Sequence, residues 1–232
     1  MELLEIFLLN DLKEISDELG LALEGVSVPD MRKLSKKIFL NNKNHSRLYE
    51  ICQEQLCNSV YQVRFFCSLL TGYISSYNEE YLDLIRYGYC KDDNWRVQEA
   101  NAKAFNIFCE LKGYEESKGI INEWIKDKNE NVRRAVTEGL RVWTSKPYFK
   151  DHPQEAIKIL SILKSDKSLY VQKSVANCFS DISKYYPDLV IECFGSWNYL
   201  DKSSMYIIKR GCRHIKDNCP DKYRVLVEKM NE

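Results

Sequence analysis

Two kinds of chemistry are on offer in this sequence: a carboxylate able to stabilise positive charge, and a row of cations able to hold phosphates. The carboxylate is Glu99, one helical turn after Trp95 in the run Asn94-Trp95-Arg96-Val97-Gln98-Glu99. Residues four apart on a helix share a face, so the indole and the carboxylate belong together. A lone acid beside an indole on a cationic surface weakens anion binding, and it fits a site where positive charge develops during reaction. The plainer alternative is an ion pair between Glu99 and Lys103 on the helix surface, worth about 0.2 to 0.5 kcal/mol.

The cations come from a repeat. A motif of Asp or Asn, a short gap, a β-branched residue, a polar or basic pair and a small or apolar residue recurs at Val63, Val97, Val132, Val171 and Ile208, at steps of 34, 35, 39 and 37 residues. The residues after each aligned position make two columns, Arg64, Gln98, Arg133, Gln172, Lys209 and Phe65, Glu99, Arg134, Lys173, Arg210. Together they hold six basic residues and one acid in a chain whose 34 Lys and Arg balance 34 Asp and Glu. Equivalent positions in a repeat array line one surface, so the columns predict a basic stripe suited to a duplex backbone. The alternative for each Arg is a bond to the turn of the neighbouring repeat.

The elements that must carry these residues are helix pairs. Turn and cap residues such as Asp92-Asp93-Asn94, Lys128-Asn129-Glu130-Asn131 and Asp166-Lys167-Ser168 precede the aligned positions. Behind them run apolar stripes at helical spacing, Val132, Val136, Leu140, Trp143 and then Val171, Val175, Phe179. The steps fall a little below the roughly 40 to 47 residues of HEAT and armadillo repeats. The expected fold is therefore all-α: a HEAT-like solenoid of stacked antiparallel helix pairs with a concave groove. Five prolines and no low-complexity stretch predict one continuous domain over residues 1–232. Within it, 59–232 form recognisable repeats, and 1–58 form degenerate N-terminal capping helices. Residues Met230 to Glu232 are expected to fray.

Balanced charge gives no global field toward nucleic acid or membrane, so electrostatic binding has to come from sidedness. Nine scattered cysteines form no C-x-x-C pair, and three distant histidines offer no tetrahedral set; this predicts reduced core thiols in a cytoplasmic protein and no bound metal. Residues Met1 to Asn10 lack a basic n-region and read as a first helix rather than a signal peptide or membrane span.

Three segments resemble the HEAT-like repeat DNA glycosylases, the alkylation-repair superfamily of AlkC and AlkD: Asn94 to Glu99, Asn131 to Trp143 (NVRRAVTEGLRVW) and Ser168 to Val190 (SLYVQKSVANCFSDISKYYPDLV). The last two are most similar to the AlkC branch. The resemblance implies a cofactor-independent enzyme, active as a monomer on alkylated or distorted double-stranded DNA. Such an enzyme hydrolyses the N-glycosidic bond of cationic bases of the 3-methyladenine, 7-methylguanine or 3-methylcytosine type. It implies Glu99 as the catalytic carboxylate, Trp95 as a groove-lining aromatic, and Glu138 and Asp181 as further acids that could equally neutralise Arg134, Arg141 or Lys184. It also implies DNA contacts from Arg133 and Arg134, extended by Lys173, Lys209 and Arg210, with Arg64 in the same column. Trp143 and Trp197 are candidate aromatic walls, against core packing. Two other functions stay open: a non-catalytic scaffold for damaged, distorted or branched DNA, and a solenoid whose groove holds a protein partner.

Overall fold

Alternating caps and apolar stripes leave this chain one way to bury its hydrophobic side chains, by laying helix on helix. The computed structural model describes residues 2–231 and contains only helices, turns and loops among them. The chain forms two units, 1–113 and 114–232.

In the first unit α1 (Leu3–Ile6), α2 (Leu12–Leu23), α3 (Val28–Asn41) and α4 (His45–Glu54) lead to α5 (Tyr61–Ile74) and α6 (Trp95–Lys112). Of the helix expected over Met1 to Asn10 the described residues form a single short turn, Leu3–Ile6, and Met1 lies outside them. Between α5 and α6 the chain makes no α-helix; it passes through short helical turns at Glu79–Tyr81, Leu84–Gly88 and Tyr89–Lys91. Gly88 there lies against Leu56, so close that a Cβ would stand 2.7 Å from the leucine methyl. The helices α5 and α6 touch through Gly72, whose added Cβ would meet the Ala104 carbonyl oxygen at 2.5 Å. One turn away the Ser68 hydroxyl donates to Asn101 at 2.6 Å inside the contact.

The second unit holds α7 (Lys118–Trp124), α8 (Glu130–Gly139), α9 (Pro147–Asp151), α10 (Pro153–Ser161), α11 (Leu169–Ser183), α12 (Pro187–Gly195), α13 (Lys202–Gly211), α14 (Arg213–Asn218) and α15 (Pro220–Asn231). Its helices lie in two rows: α11 packs against both α8 and α13, while α12 packs against α10 and α15. Helix α15 continues through Asn231, and Glu232 lies outside the described residues. Pro147, Pro153, Pro187 and Pro220 each begin a helix, where a missing N–H costs nothing.

The aligned residues Val63, Val97, Val132, Val171 and Ile208 are all fully buried, as are Val136, Leu140, Val175 and Phe179 of the predicted stripes. In the fifth copy Ile207 is buried beside Ile208, as Gln172 is beside Val171. Six of the nine cysteines, Cys52, Cys67, Cys90, Cys109, Cys178 and Cys212, are buried in this core. After α8 the chain turns through Val142 at φ 55, left-handed backbone that a β-branched residue adopts at a cost of about 1 to 2 kcal/mol.

Candidate nucleic-acid interface

Helix α6 begins where Asn94 accepts the Arg96 N–H at 3.0 Å. Val97 and Gln98 turn inward, which leaves Trp95 outward at 59% exposure. The Arg96 guanidinium lies over the Trp95 ring at 4.6 Å and near the Tyr61 ring at 5.4 Å, so one face of the indole is already covered by a cation. One turn along, Glu99 is half-buried.

The first column serves the turns. Arg64 donates from Nε to Asp92 at 2.5 Å and from Nη1 to the Asn58 carbonyl at 2.5 Å. Arg133 grips Asp166 with two bonds, Nε at 2.6 Å and Nη2 at 2.9 Å, and gives Nη1 to the carbonyls of Asp127 and Lys128. Gln98 donates to the Asp92 carbonyl at 2.6 Å, and Gln172 to the Asp166 carbonyl at 2.7 Å and to Ser203 at 3.1 Å. The expected phosphate contacts of Arg64 and Arg133 are therefore corrected: both guanidiniums are spent on the turns of their own and the following repeat. Bidentate geometry with a shielded carboxylate makes those bonds strong.

The second column divides by burial. Phe65 is core, and Arg134, only 7% exposed, stacks on Tyr170 at 4.1 Å with Glu138 at 4.0 Å. Lys173, Lys209 and Arg210 reach solvent on α11 and α13, with Arg210 Nε donating to Asn177 at 3.2 Å. Arg213 beside them donates to Ser180 at 3.3 Å.

Glu138 and Asp181 come together around Arg141, which lies 3.3 Å from the first and 3.0 Å from the second. Burial disfavours the Arg141 charge, but its bonds to Asp181 and Glu138 and their charges outweigh that and raise its pKa above the ordinary value. Ser174 adds a 2.9 Å bond to Glu138. With Arg134 4.0 Å from Glu138 the two acids face two guanidiniums, and the network fastens α8 to α11. Neutralisation is one of the two readings the sequence offers for Glu138 and Asp181, and of the three cations it names Arg141 is the one both acids share. Trp143 is fully buried and meets Phe149 edge-on at 4.8 Å, so of its two readings core packing holds and the aromatic wall does not. Trp197 packs on Phe179 and Phe194 in the same way.

A family model described as DNA alkylation repair enzyme matches residues 20–193. The structure of AlkD2 from Streptococcus mutans is 37% identical over 88% of this chain and 98% of its own, with a TM-score of 0.82. The Pseudomonas fluorescens alkylpurine DNA glycosylase AlkC, solved bound to DNA containing an abasic site analog, covers 97% of this chain and 68% of its own at 23% identity and a TM-score of 0.53, a likeness of fold alone. An uncharacterized Bacillus subtilis protein, YhaZ, is 42% identical over 96 residues, 40% of this chain and 27% of that protein. The helical-repeat expectation is met in these neighbours. The AlkC-branch expectation is corrected, because identity over most of the chain favours AlkD2 and the short strings behind that expectation sampled little of it.

Proposed function

Because the chain belongs to the DNA alkylation repair enzyme family, we propose that it binds duplex DNA bearing cationic alkylated bases and hydrolyses their N-glycosidic bond. The observation that carries this reading is Glu99, half-buried on α6 one turn from the exposed Trp95. In such a base the glycosidic electron pair leaves with the ring and neutralises it, leaving an oxocarbenium-like sugar. The Glu99 carboxylate would offset that charge, and the water attacking C1′ would pass its proton to the same group. The free face of Trp95 offers a stacking surface beside it. Lys173, Lys209 and Arg210 would hold the backbone by charge.

The test is release of methylated base from methylated duplex by the purified protein, beside Glu99→Gln and a protein-free control. The expected result is release by wild type alone, with DNA affinity kept in the variant. Equal release by Glu99→Gln would remove Glu99 from the chemistry. A second reading, DNA binding without hydrolysis, is favoured by the buried Trp143 and by Glu138 and Asp181 both being bonded to Arg141 within the scaffold. It expects affinity for DNA and no release by any variant.

A further inference from the structure

The turns that join the two helix rows of the second unit border an open groove of about 690 Å³, whose lining includes Ile125, Ile162 and Leu163 together with Lys126, Lys128 and Lys167. Lys164 belongs to the same turn, next in sequence to the lining residue Leu163. The four lysines are exposed, and among the described residues none of them enters an ion pair. The acids of these turns point back into the fold. Asp166 holds Arg133 and the Ser168 N–H, Asp127 accepts the Asn129 N–H at 2.8 Å, and Asp201 accepts from Ser165 and Ser204. Glu130 is the one carboxylate lining the groove that stays exposed. A chain of zero net charge thus shows a cationic edge here because its carboxylates are used as turn locks and its lysines are not.

We propose that this edge is a second backbone-contacting surface for duplex DNA, separate from the exposed cations of α11 and α13. The inference rests on the reading that the protein binds duplex DNA. Two lysines on each of two successive turns form a row of flexible point charges, which suits phosphodiesters that ask for charge and no fixed direction. The two surfaces are linked through one helix, since Lys167 lies just before α11 and Lys173 within it.

The test compares binding of an unmodified duplex of about 25 base pairs, long enough to span both surfaces at about 3.4 Å per pair, across a salt series. One variant is Lys126→Gln/Lys128→Gln/Lys164→Gln/Lys167→Gln. The control, Lys13→Gln/Lys36→Gln/Lys37→Gln/Lys43→Gln, removes the same charge from exposed lysines of the first unit. The edge variant is expected to lose at least about tenfold in affinity near 0.1 M salt, its slope of log K against log salt becoming shallower by about 0.9 for each phosphate lost. The control should bind like wild type, and both should keep wild-type circular dichroism and unfolding midpoints. An edge variant that binds like wild type overturns the proposal, as does an equal loss in the control. A loss of binding to an acidic peptide with DNA affinity intact would assign the edge to a protein partner and overturn it too. Failure of base release leaves these readouts unmoved, whereas absence of wild-type DNA binding would sink this proposal and the parent reading together.

Discussion

Removing the Asp166 carboxylate should be among the most damaging single changes on the surface of the second unit. Its side chain is 4% exposed and that of its partner Arg133 is 14%, so neither charge is well screened by water. Breaking a buried pair by deleting one partner costs about 3 to 5 kcal/mol. The lower end applies here, because Arg133 keeps its bonds to the Asp127 and Lys128 carbonyls. Loss of the bond from Asp166 to the Ser168 N–H adds about 1 kcal/mol. Asp166→Ala should therefore lower stability by about 3 to 4 kcal/mol. Urea unfolding of Asp166→Ala, Arg133→Ala and the double variant would also measure the coupling, expected within the range of about 0.5 to 3 kcal/mol for contacting groups. As an internal standard, Lys222→Ala should move the urea midpoint far less than Asp166→Ala, because its pair with Asp188 is exposed at 51% and 74% and screened by water. A cost below about 1 kcal/mol for Asp166→Ala, against the magnitude above, would refute the fastening role and return Arg133 to the list of groups open to phosphate.

Gly72→Ala should destabilise by about 1 to 3 kcal/mol by urea unfolding, because the new methyl meets the Ala104 backbone and α5 must move off α6. Trp143→Ala should cost about 3 to 5 kcal/mol by the same method, and Trp143→Phe should leave DNA affinity unchanged, as befits a core ring. His45 lies against Phe39 and Tyr77, and burial, helped by Lys43, holds its pKa below the ordinary 6.5. Its proton binds better to the unfolded chain, so its contribution is intact above pH 6.5 and is lost as pH falls through that value toward the lower folded pKa. The urea midpoint of His45→Gln should accordingly drop less than that of wild type between pH 7.5 and 5.5.

Helices, their buried faces and their caps were legible because burying an apolar stripe and satisfying a helix N-terminus constrain residue type at fixed spacing. Val132, Val171 and Asn129 each reveal their role that way. The destination of a long charged side chain was not legible from its column alone, since Arg133 carries the same charge whether it meets a phosphate or an aspartate. The missing signal was a second periodicity: Asn58, Asp92, Asp127 and Asp166 each stand six residues before Arg64, Gln98, Arg133 and Gln172. That spacing returns each side chain to the carbonyl of its own turn, and it places a carboxylate at the next turn for the arginines. For Glu138 and Asp181 the sequence offered Arg134, Arg141 and Lys184 as partners, and only the packing of α8 on α11 selects Arg141 as the one they share.

Arg133 and Gln172 each bind their own turn and reach into the following one, at Asp166 and Ser203. In a stacked array, cooperativity is the strength of the nearest-neighbour term relative to the stability of each repeat by itself. Here part of that term is polar and sits at the turns. The helices from α8 to α13 should consequently exchange their amide hydrogens as one block, so that opening one turn opens its neighbour.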